Sequence, residues 1–554
     1  MSNSLVYLKH SVQFEPLYNQ WYAWGYLISP ATAAMVTVNL HQRVLESFIR
    51  QPQLHRQAVA NQAMRGGMYM DHAGALAPVE DLLAATRVRL AHCTDFANGI
   101  KALNDLLLHK TDGGSLAGLY SQVPEALKGL VELVYDLQSR PSFRLLEALL
   151  YDSEYYDESQ QSVNLSLSGA QGRPFVLSSP RFADLGVLNV PMPLRSPAFD
   201  ALFRMRNTPA SFEDIGAQFG WAGMSAERQA LFSSLFTSTA PALKSDRHVS
   251  GEGVRVRYFG HATVLVQTAE IAILIDPVIR YDDAGSEPGY ALSDLPDRID
   301  YVLLTHNHQD HVMLETLLQI RHKVACLVVA RSSAGALQDP SLRLMLRAVG
   351  FDHVVELDEA ESLPVPGGAI IGIPFFGEHA DLDIRSKLAY GVQLEGRNLV
   401  FLADSNALEP RMYERIARQI GPVDAMFVGL ECDGAPMSWL YGPLMTRPLT
   451  RSVDQARRLN SSDSASALAI AERLHARSVY VYAMGLEPWL GYISSIAYTE
   501  DAKPMAETRE LVRRCLEQGR HAELLYIAKQ LHLPPGRAPA SPAIPQELPS
   551  ETAQ

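Results

Sequence analysis

A chain of 554 residues exceeds one ordinary domain, and about two to four domains are expected at this length. Hydrophobic residues at 47% and charged residues at 20% supply large cores and exclude global disorder. A net charge of −13 excludes nucleic acid as the main partner, since phosphate binding needs a concentrated basic surface, while leaving room for a local basic patch.

The segment Met1 to Lys9 lacks a basic run followed by an apolar core and does not read as a signal peptide. No apolar run reaches the roughly 18 residues of a membrane span. A soluble cytoplasmic protein with no membrane association is therefore expected. Cys93, Cys326, Cys432 and Cys515 lie far apart with no C-x-x-C pair, which removes zinc-ribbon and thioredoxin-like readings and suits a reducing compartment. Cys326 falls in the apolar run Val324 to Val329 and is expected as a small core residue of a buried strand.

Residues 1–247 hold no catalytic motif and read as a mixed, largely helical α+β domain. Trp21, Tyr22, Trp24 and Tyr26 crowd one segment, a density that points to core or interface packing. That domain is expected to cover the substrate and to form a homodimer surface. Helical periodicity runs through Val79, Leu83, Leu90, Cys93 and Ala97, and again through Leu127, Leu130, Val131, Val134 and Leu137. Polar residues 244–253 mark a boundary.

Residues 248–532 read as a second domain in which strands come in two clusters, each followed by helices. Two sheets covered by helices are the expected architecture. The strands include Val254 to Tyr258, Thr263 to Gln267, Ile271 to Ile275, Tyr301 to Leu304 and Val324 to Ala330. A hairpin turn at Glu395-Gly396-Arg397-Asn398 joins two more, and Val479 to Ala483 is a late one. Residues 533–554 are Pro-rich and read as a disordered tail.

The chemistry concentrates where the apolar strand Ile299 to Leu304 opens into His306-Asn307-His308-Gln309-Asp310-His311. Three imidazoles and a carboxylate within six positions, at the end of a buried strand, can bind two divalent metals facing a cleft. His306 and His308 would face one metal, Asp310 and His311 the other. Asp276 ends a strand and is placed to orient a ligand imidazole. His261, in Phe259-Gly260-His261, reads more readily as a turn residue than as a ligand. Asp404 ends the strand Leu399 to Ala403, where one carboxylate can give an oxygen to each metal.

Residues 254–500 resemble the metallo-β-lactamase superfamily, an αββα sandwich, on the H-x-H-x-D-H run and on Asp404 as its bridging aspartate. Two departures stand out. Where superfamily hydrolases supply a third histidine before the bridging aspartate, this chain reads Gly377-Glu378-His379. After the late strand it reads Met484-Gly485-Leu486-Glu487, with no histidine, and His475 lies on the preceding helix. A site that loses an imidazole and gains a carboxylate suits iron and dioxygen better than a nitrogen-rich zinc site.

That combination, with a long N-terminal domain, resembles the di-iron β-hydroxylases of nonribosomal peptide biosynthesis. The resemblance implies a monooxygenase with two Fe ions and O2 as co-substrate. It would hydroxylate the β-carbon of an aminoacyl thioester on a carrier domain, with electrons from an external donor. It implies His306, His308, Glu378 and Asp404 on one iron and Asp310, His311 and Asp404 on the other, with Asp276 and His379 beside them. His379 is the competing ligand to Glu378. The rival reading is a dinuclear zinc hydrolase of the same fold, in which a metal-bound hydroxide attacks the substrate. A non-catalytic scaffold is a third. Arg447, Arg451, Arg457 and Arg458 are candidates for a basic patch that docks an acidic carrier.

Overall fold

The computed structural model describes residues 4–536 apart from 62, 63, 65, 111, 168–171, 243, 283–287 and 496. Two seven-stranded sheets form the second half. In the first, the order is Val354–Leu357, Val324–Ala330, Ile299–Leu304, Ala272–Ile275, Thr263–Gln267, Val254–Gly260 and Lys529–Leu533. In the second it is Ser362–Val365, Gly368–Pro374, Leu388–Leu394, Arg397–Phe401, Ala425–Val428, Ser478–Val481 and His521–Leu524.

Strands Ala272–Ile275, Ile299–Leu304 and Val324–Ala330 run parallel to one another. Their near-continuous apolar sequences are what a strand covered on both faces requires. Leu303, Val328 and Ile275 point between the sheets and meet Tyr390, Phe401 and Phe427 of the second sheet. The alternate residues Val302, Leu304 and Val329 face outward. The outer face of the second sheet is covered by helices Arg411–Ile420, Ser464–Arg473 and Lys503–Glu517.

The outer face of the first sheet has a different cover. It shares one continuous core with the N-terminal half, which contributes Phe14, Phe48, Phe96 and Phe199 among many others. That half is built on a four-stranded sheet, Trp21–Tyr22, Val12–Tyr18, Gln161–Leu167 and Leu188–Pro191, with helices Ala77–Arg89 and Ala91–Leu108. Trp21, Tyr22, Trp24 and Tyr26 are all enclosed within this core, so the segment packs internally and is not itself a dimer surface.

Three expectations need correction. The periodic run from Leu127 to Leu137 is not a helix but the hairpin Val131–Tyr135 with Pro141–Leu145. Leu127, Leu130 and Val134 happen to fit helical spacing, but burial alternates from Val131 to Leu133 and Leu137 is fully exposed at the turn. Asp136 accepts from the Gln138 and Arg140 amides and closes that turn. Cys326 lies in its strand but is only half-buried. Leu533, assigned to the tail, pairs with Val254, and the Gly536 amide donates to the Glu395 carbonyl. Residues 537–554, the rest of that tail, lie outside the described residues.

Helix Leu314–Ile320, which follows the motif, is buried all round because the N-terminal half packs over it. Its polar residues are matched from above. Arg173 forms a two-pronged bridge to Glu315 at 2.9 and 3.1 Å and stacks on the Tyr492 ring at 3.4 Å. Arg206 donates to Gln319 at 2.5 Å.

Arg321, just past this helix, donates to Asp200 and to the carbonyls of Leu194, Ser196 and Val349 at 2.6 to 3.0 Å. Arg321→Ala should therefore destabilise the protein by about 3–5 kcal/mol, because it leaves buried acceptors and a carboxylate unpaired. Arg321→Lys should recover only part, since one ammonium cannot span four acceptor groups. The urea midpoint measures this, and an unchanged midpoint for Arg321→Ala would contradict it.

Candidate metal centre

Every sequence-predicted site residue follows a strand at the same edge of one of the two sheets. Asp276 ends Ala272–Ile275, the His306–His311 run ends Ile299–Leu304, and Glu378 follows Gly368–Pro374. Asp404 follows Arg397–Phe401. Rigid strands thus deliver these side chains to one cleft.

Protonation follows from the hydrogen-bond network, starting at fully buried Asp276. It accepts from the Thr305 amide at 2.8 Å and the Thr305 hydroxyl at 2.6 Å. It also accepts from His311 Nδ1 at 2.8 Å. His311 therefore carries its proton on Nδ1, and its Nε2 lone pair faces Asp404 Oδ2 at 3.1 Å. Thr305 has given its hydroxyl proton to Asp276, so its oxygen accepts from His306 Nδ1 at 3.0 Å. The His306 lone pair is then on Nε2.

On the other side, the Tyr441 hydroxyl lies between His308 Nε2 at 3.0 Å and His379 Nδ1 at 2.7 Å and bonds to both rings. His308 Nδ1 meets His306 Nε2 at 3.1 Å. His306 Nε2 is 3.5 Å from Asp404 Oδ2, and His308 Nδ1 is 3.4 Å from Glu378 Oε1. Metal–ligand bonds of about 2.0–2.2 Å place neighbouring donors at about these separations.

His379 is held at Nδ1 by the Tyr441 hydroxyl, and its Nε2 is buried without a hydrogen-bond partner. The same reasoning separates another histidine from the ligands. His261 accepts from the Gly485 amide at Nδ1, so its Nε2 proton faces Asp310 Oδ2 at 3.3 Å. His261, Asp310 and His311 lie within ligand distance of one another, but His261 holds Asp310 in place and offers no lone pair. Its φ of 49° also fits the turn the sequence indicated.

Charge points the same way. Burial lowers the His306 pKa well below normal, and burial with Asp404 and Glu431 nearby raises that of Glu378 well above it. Against burial, Asp404, Asp310 and Asp276 raise the His311 pKa. Asp310, Glu378, Asp404 and Glu431 sum to −4 when all are ionised, which two divalent cations balance. Asp404 Oδ1 and His311 Nε2 are buried with no hydrogen-bond partner, as open ligand positions require. The residues present therefore fit a dinuclear centre with mixed nitrogen and carboxylate donors.

Glu431 and Tyr441 were not picked out as site residues by sequence reasoning. Glu431 follows strand Ala425–Val428 at the same edge, and burial together with Asp404 raises its pKa well above normal. A carboxylate after a buried apolar strand was the available signal, the one that found Asp276 and Asp404. Tyr441 carries no local signal. Gly429 is required here, since a Cβ would lie 2.7 Å from Asp404 Oδ1.

The N-terminal half closes the site. Gly25 lies so close to the ligand loop that a Cβ would meet Asn307 Oδ1 at 2.2 Å. A cavity of about 460 Å³ opens from His308, Asp310 and Glu378 toward Trp439 and Tyr498, with Met68, Phe175 and Leu177 of the N-terminal half on its wall.

Comparison with known proteins bears on this geometry. Residues 7–241 match the model of the diiron non-heme beta-hydroxylase N-terminal domain, and residues 272–481 that of the beta-lactamase superfamily domain. The chain is 38% identical over 532 residues to the 4-amino-L-phenylalanyl-[CmlP-peptidyl-carrier-protein] 3-hydroxylase of Streptomyces venezuelae, covering 95% of this chain and 99% of that protein. The crystal structure of CmlA, a diiron beta-hydroxylase from Streptomyces venezuelae, superposes with a TM-score of 0.89 and 37% identity, covering 96% of this chain and all of that one. A metal-dependent hydrolase of Christiangramia forsetii is 35% identical over 60 residues, which is 11% of this chain and 25% of that protein. Hydrolase similarity of this kind is far more local, and the hydrolase reading is correspondingly weaker. With an N-terminal domain and a β-lactamase-type sandwich both matched, and one relative aligned along almost its whole length, the chain belongs to the diiron non-haem β-hydroxylase family.

Proposed function

We propose that this chain hydroxylates the β-carbon of an aminoacyl group held as a thioester on the phosphopantetheine arm of a nonribosomal peptide synthetase carrier domain. The observation that carries the reading is the cluster of His306, His308 and His311 set among four carboxylates, in a chain similar end to end to an aminoacyl-carrier hydroxylase. His306, His308, Glu378 and Asp404 would hold one iron, and Asp310, His311 and Asp404 the other. Residues 1–247 are the covering domain, and the catalytic domain runs from 248 to at least Gly536. No helix among the described residues is long and apolar enough to cross a membrane, and the proposed location is the cytoplasm. The proposed homodimer uses a face of the N-terminal half other than the enclosed Trp21 segment.

When bound, the iron pair supplies the redox chemistry with O2. The reaction replaces a C–H bond by C–OH. It consumes one O2, two electrons from an external donor and two protons, and its second product is water. The chain's own residues set the conditions. Asp276 keeps the His311 proton on Nδ1, so Nε2 stays available, and Tyr441 holds the His308 ring from the far side. His261 steadies Asp310. Phe175, Leu177 and Met68 line the cavity with apolar surface that keeps water from the reacting carbon.

A zinc hydrolase of the same fold would draw on His379 as a ligand, yet it is Glu378 Oε1 that reaches His308 Nδ1, at 3.4 Å, while His379 Nδ1 is taken by Tyr441. Glu378→Ala should therefore lose about one iron per chain, whereas His379→Ala should keep about two, read by metal analysis of the purified variants. The reverse pattern would return the assignment to His379.

The reaction itself is tested by single-turnover oxidation of the reduced protein. The loaded carrier should accelerate O2 consumption by at least about tenfold over the free amino acid, because the distant binding energy of the carrier is available to license the oxidant. Equal rates would remove the carrier from the reading, and thioester hydrolysis without O2 consumption would favour the hydrolase.

A further inference from the structure

The four arginines singled out in the sequence do not form one patch. Arg457 donates to the Ala380 carbonyl, and Arg458 pairs with Asp433 on the cavity wall. Arg447 and Arg451 instead line a separate groove of about 560 Å³. Its opposite wall comes from the N-terminal half, where Arg43 lies on helix Gln42–Arg50 and Lys101 on helix Ala91–Leu108. Asn39 ties the walls together, accepting from Lys101 at 2.7 Å and donating to the Pro443 carbonyl at 2.7 Å.

Among the described residues none of these four cations has an acidic partner within ion-pair distance, in a chain whose net charge is −13. Asp454 also borders the groove, but its carboxylate accepts from the Ser438 amide and hydroxyl, both at 2.8 Å. Burial and the neighbouring Arg43 lower the Lys101 pKa, as expected where like charges gather without a counterion. The groove's position gives it a use. Ser438 and Gly442 line it, while Trp439 and Leu440, from the same short stretch, line the cavity that leads to the metal ligands. A thioester arm entering beside Trp439 occupies the cavity, so the protein body that bears the arm must rest on the rim, over the groove.

We propose that Arg43, Lys101, Arg447 and Arg451 form the docking surface for the carrier domain, receiving an acidic face of that domain beside its pantetheine arm. This rests on the carrier-bound substrate proposed above. An unpaired cationic rim on an otherwise acidic protein orients a negatively charged partner and speeds its encounter. The body of the carrier occupies the groove, and the arm occupies the neighbouring cavity.

The test uses the CmlP peptidyl-carrier protein with a fluorophore on its pantetheine arm, titrated with the iron-loaded full chain at low and high salt. The double variant R447E/R451E and the variant K101E should each weaken binding by at least about tenfold at low salt and flatten its salt dependence, while iron content and thermal midpoint stay those of the wild type. A carrier whose acidic residues beside the arm are changed to lysine should recover binding to R447E/R451E, which a merely structural role would not give. Unchanged affinity and salt dependence in both variants would overturn the docking surface, while turnover of carrier-bound aminoacyl groups by the wild type would leave the proposed reaction standing. Failure of the wild type to bind the carrier at all would overturn both.

Discussion

Asp276 is fully buried and accepts three hydrogen bonds. Its two oxygens take a backbone amide, a hydroxyl and an imidazole, and each of those donors belongs to the run that carries the ligands. The consequences spread from there. The Thr305 hydroxyl must turn toward Asp276, His306 must then donate to Thr305, and both His306 and His311 must present Nε2 to Asp404. One buried carboxylate at the end of the neighbouring strand thus fixes the tautomers of two ligands and the point at which a bridging carboxylate can reach them. Tyr441 braces the His308 and His379 rings together from the opposite side.

The two halves of the chain depend on each other through the same region. Helix Leu314–Ile320 begins three residues after His311 and is buried between the first sheet and the N-terminal half. Without Arg173 the buried Glu315 carboxylate would keep only the Tyr281 and Tyr492 hydroxyls and no counter-charge, and without Arg206 the Gln319 carbonyl would lose its donor. Arg321 extends the seam to Asp200 and three carbonyls. The ligand loop is therefore clamped from behind by the sheet and from above by the covering half, down to the close approach of Gly25 to Asn307. Rigid support of this kind holds donors at metal spacing.

How much of this was legible in the sequence varies by residue, for physical reasons. The strand before His306 announces itself as a continuous apolar run, and its ligands follow within six positions, so local sequence carries the motif. Asp276 and Asp404 were legible by the same rule of a carboxylate after a buried strand. Glu431 obeys that rule too, but Leu430-Glu431-Cys432-Asp433 also reads as an ordinary loop. Adjacent Glu378 and His379 could not be told apart by spacing. The fold places them differently: Glu378 reaches His308, while His379 is held at Nδ1 by the Tyr441 hydroxyl, 62 positions away. The hairpin from Val131 was misread because three leucine or valine positions fit a helical repeat by chance, while its closing Asp136 turn was overlooked. The basic groove was half legible. Arg447 and Arg451 were visible as a local cluster, but Arg43 and Lys101 join them only through the fold.

The central claim is that two irons lie astride Asp404, with Glu378 and not His379 as the anionic ligand. Anomalous diffraction from crystals of the iron-loaded protein, collected above and below the iron absorption edge, tests it most directly. The account predicts two iron peaks, one among His306, His308, Glu378 and Asp404 and the other among Asp310, His311 and Asp404. A single peak, a signal at the zinc edge only, or a peak bonded to His379 Nε2 would contradict it.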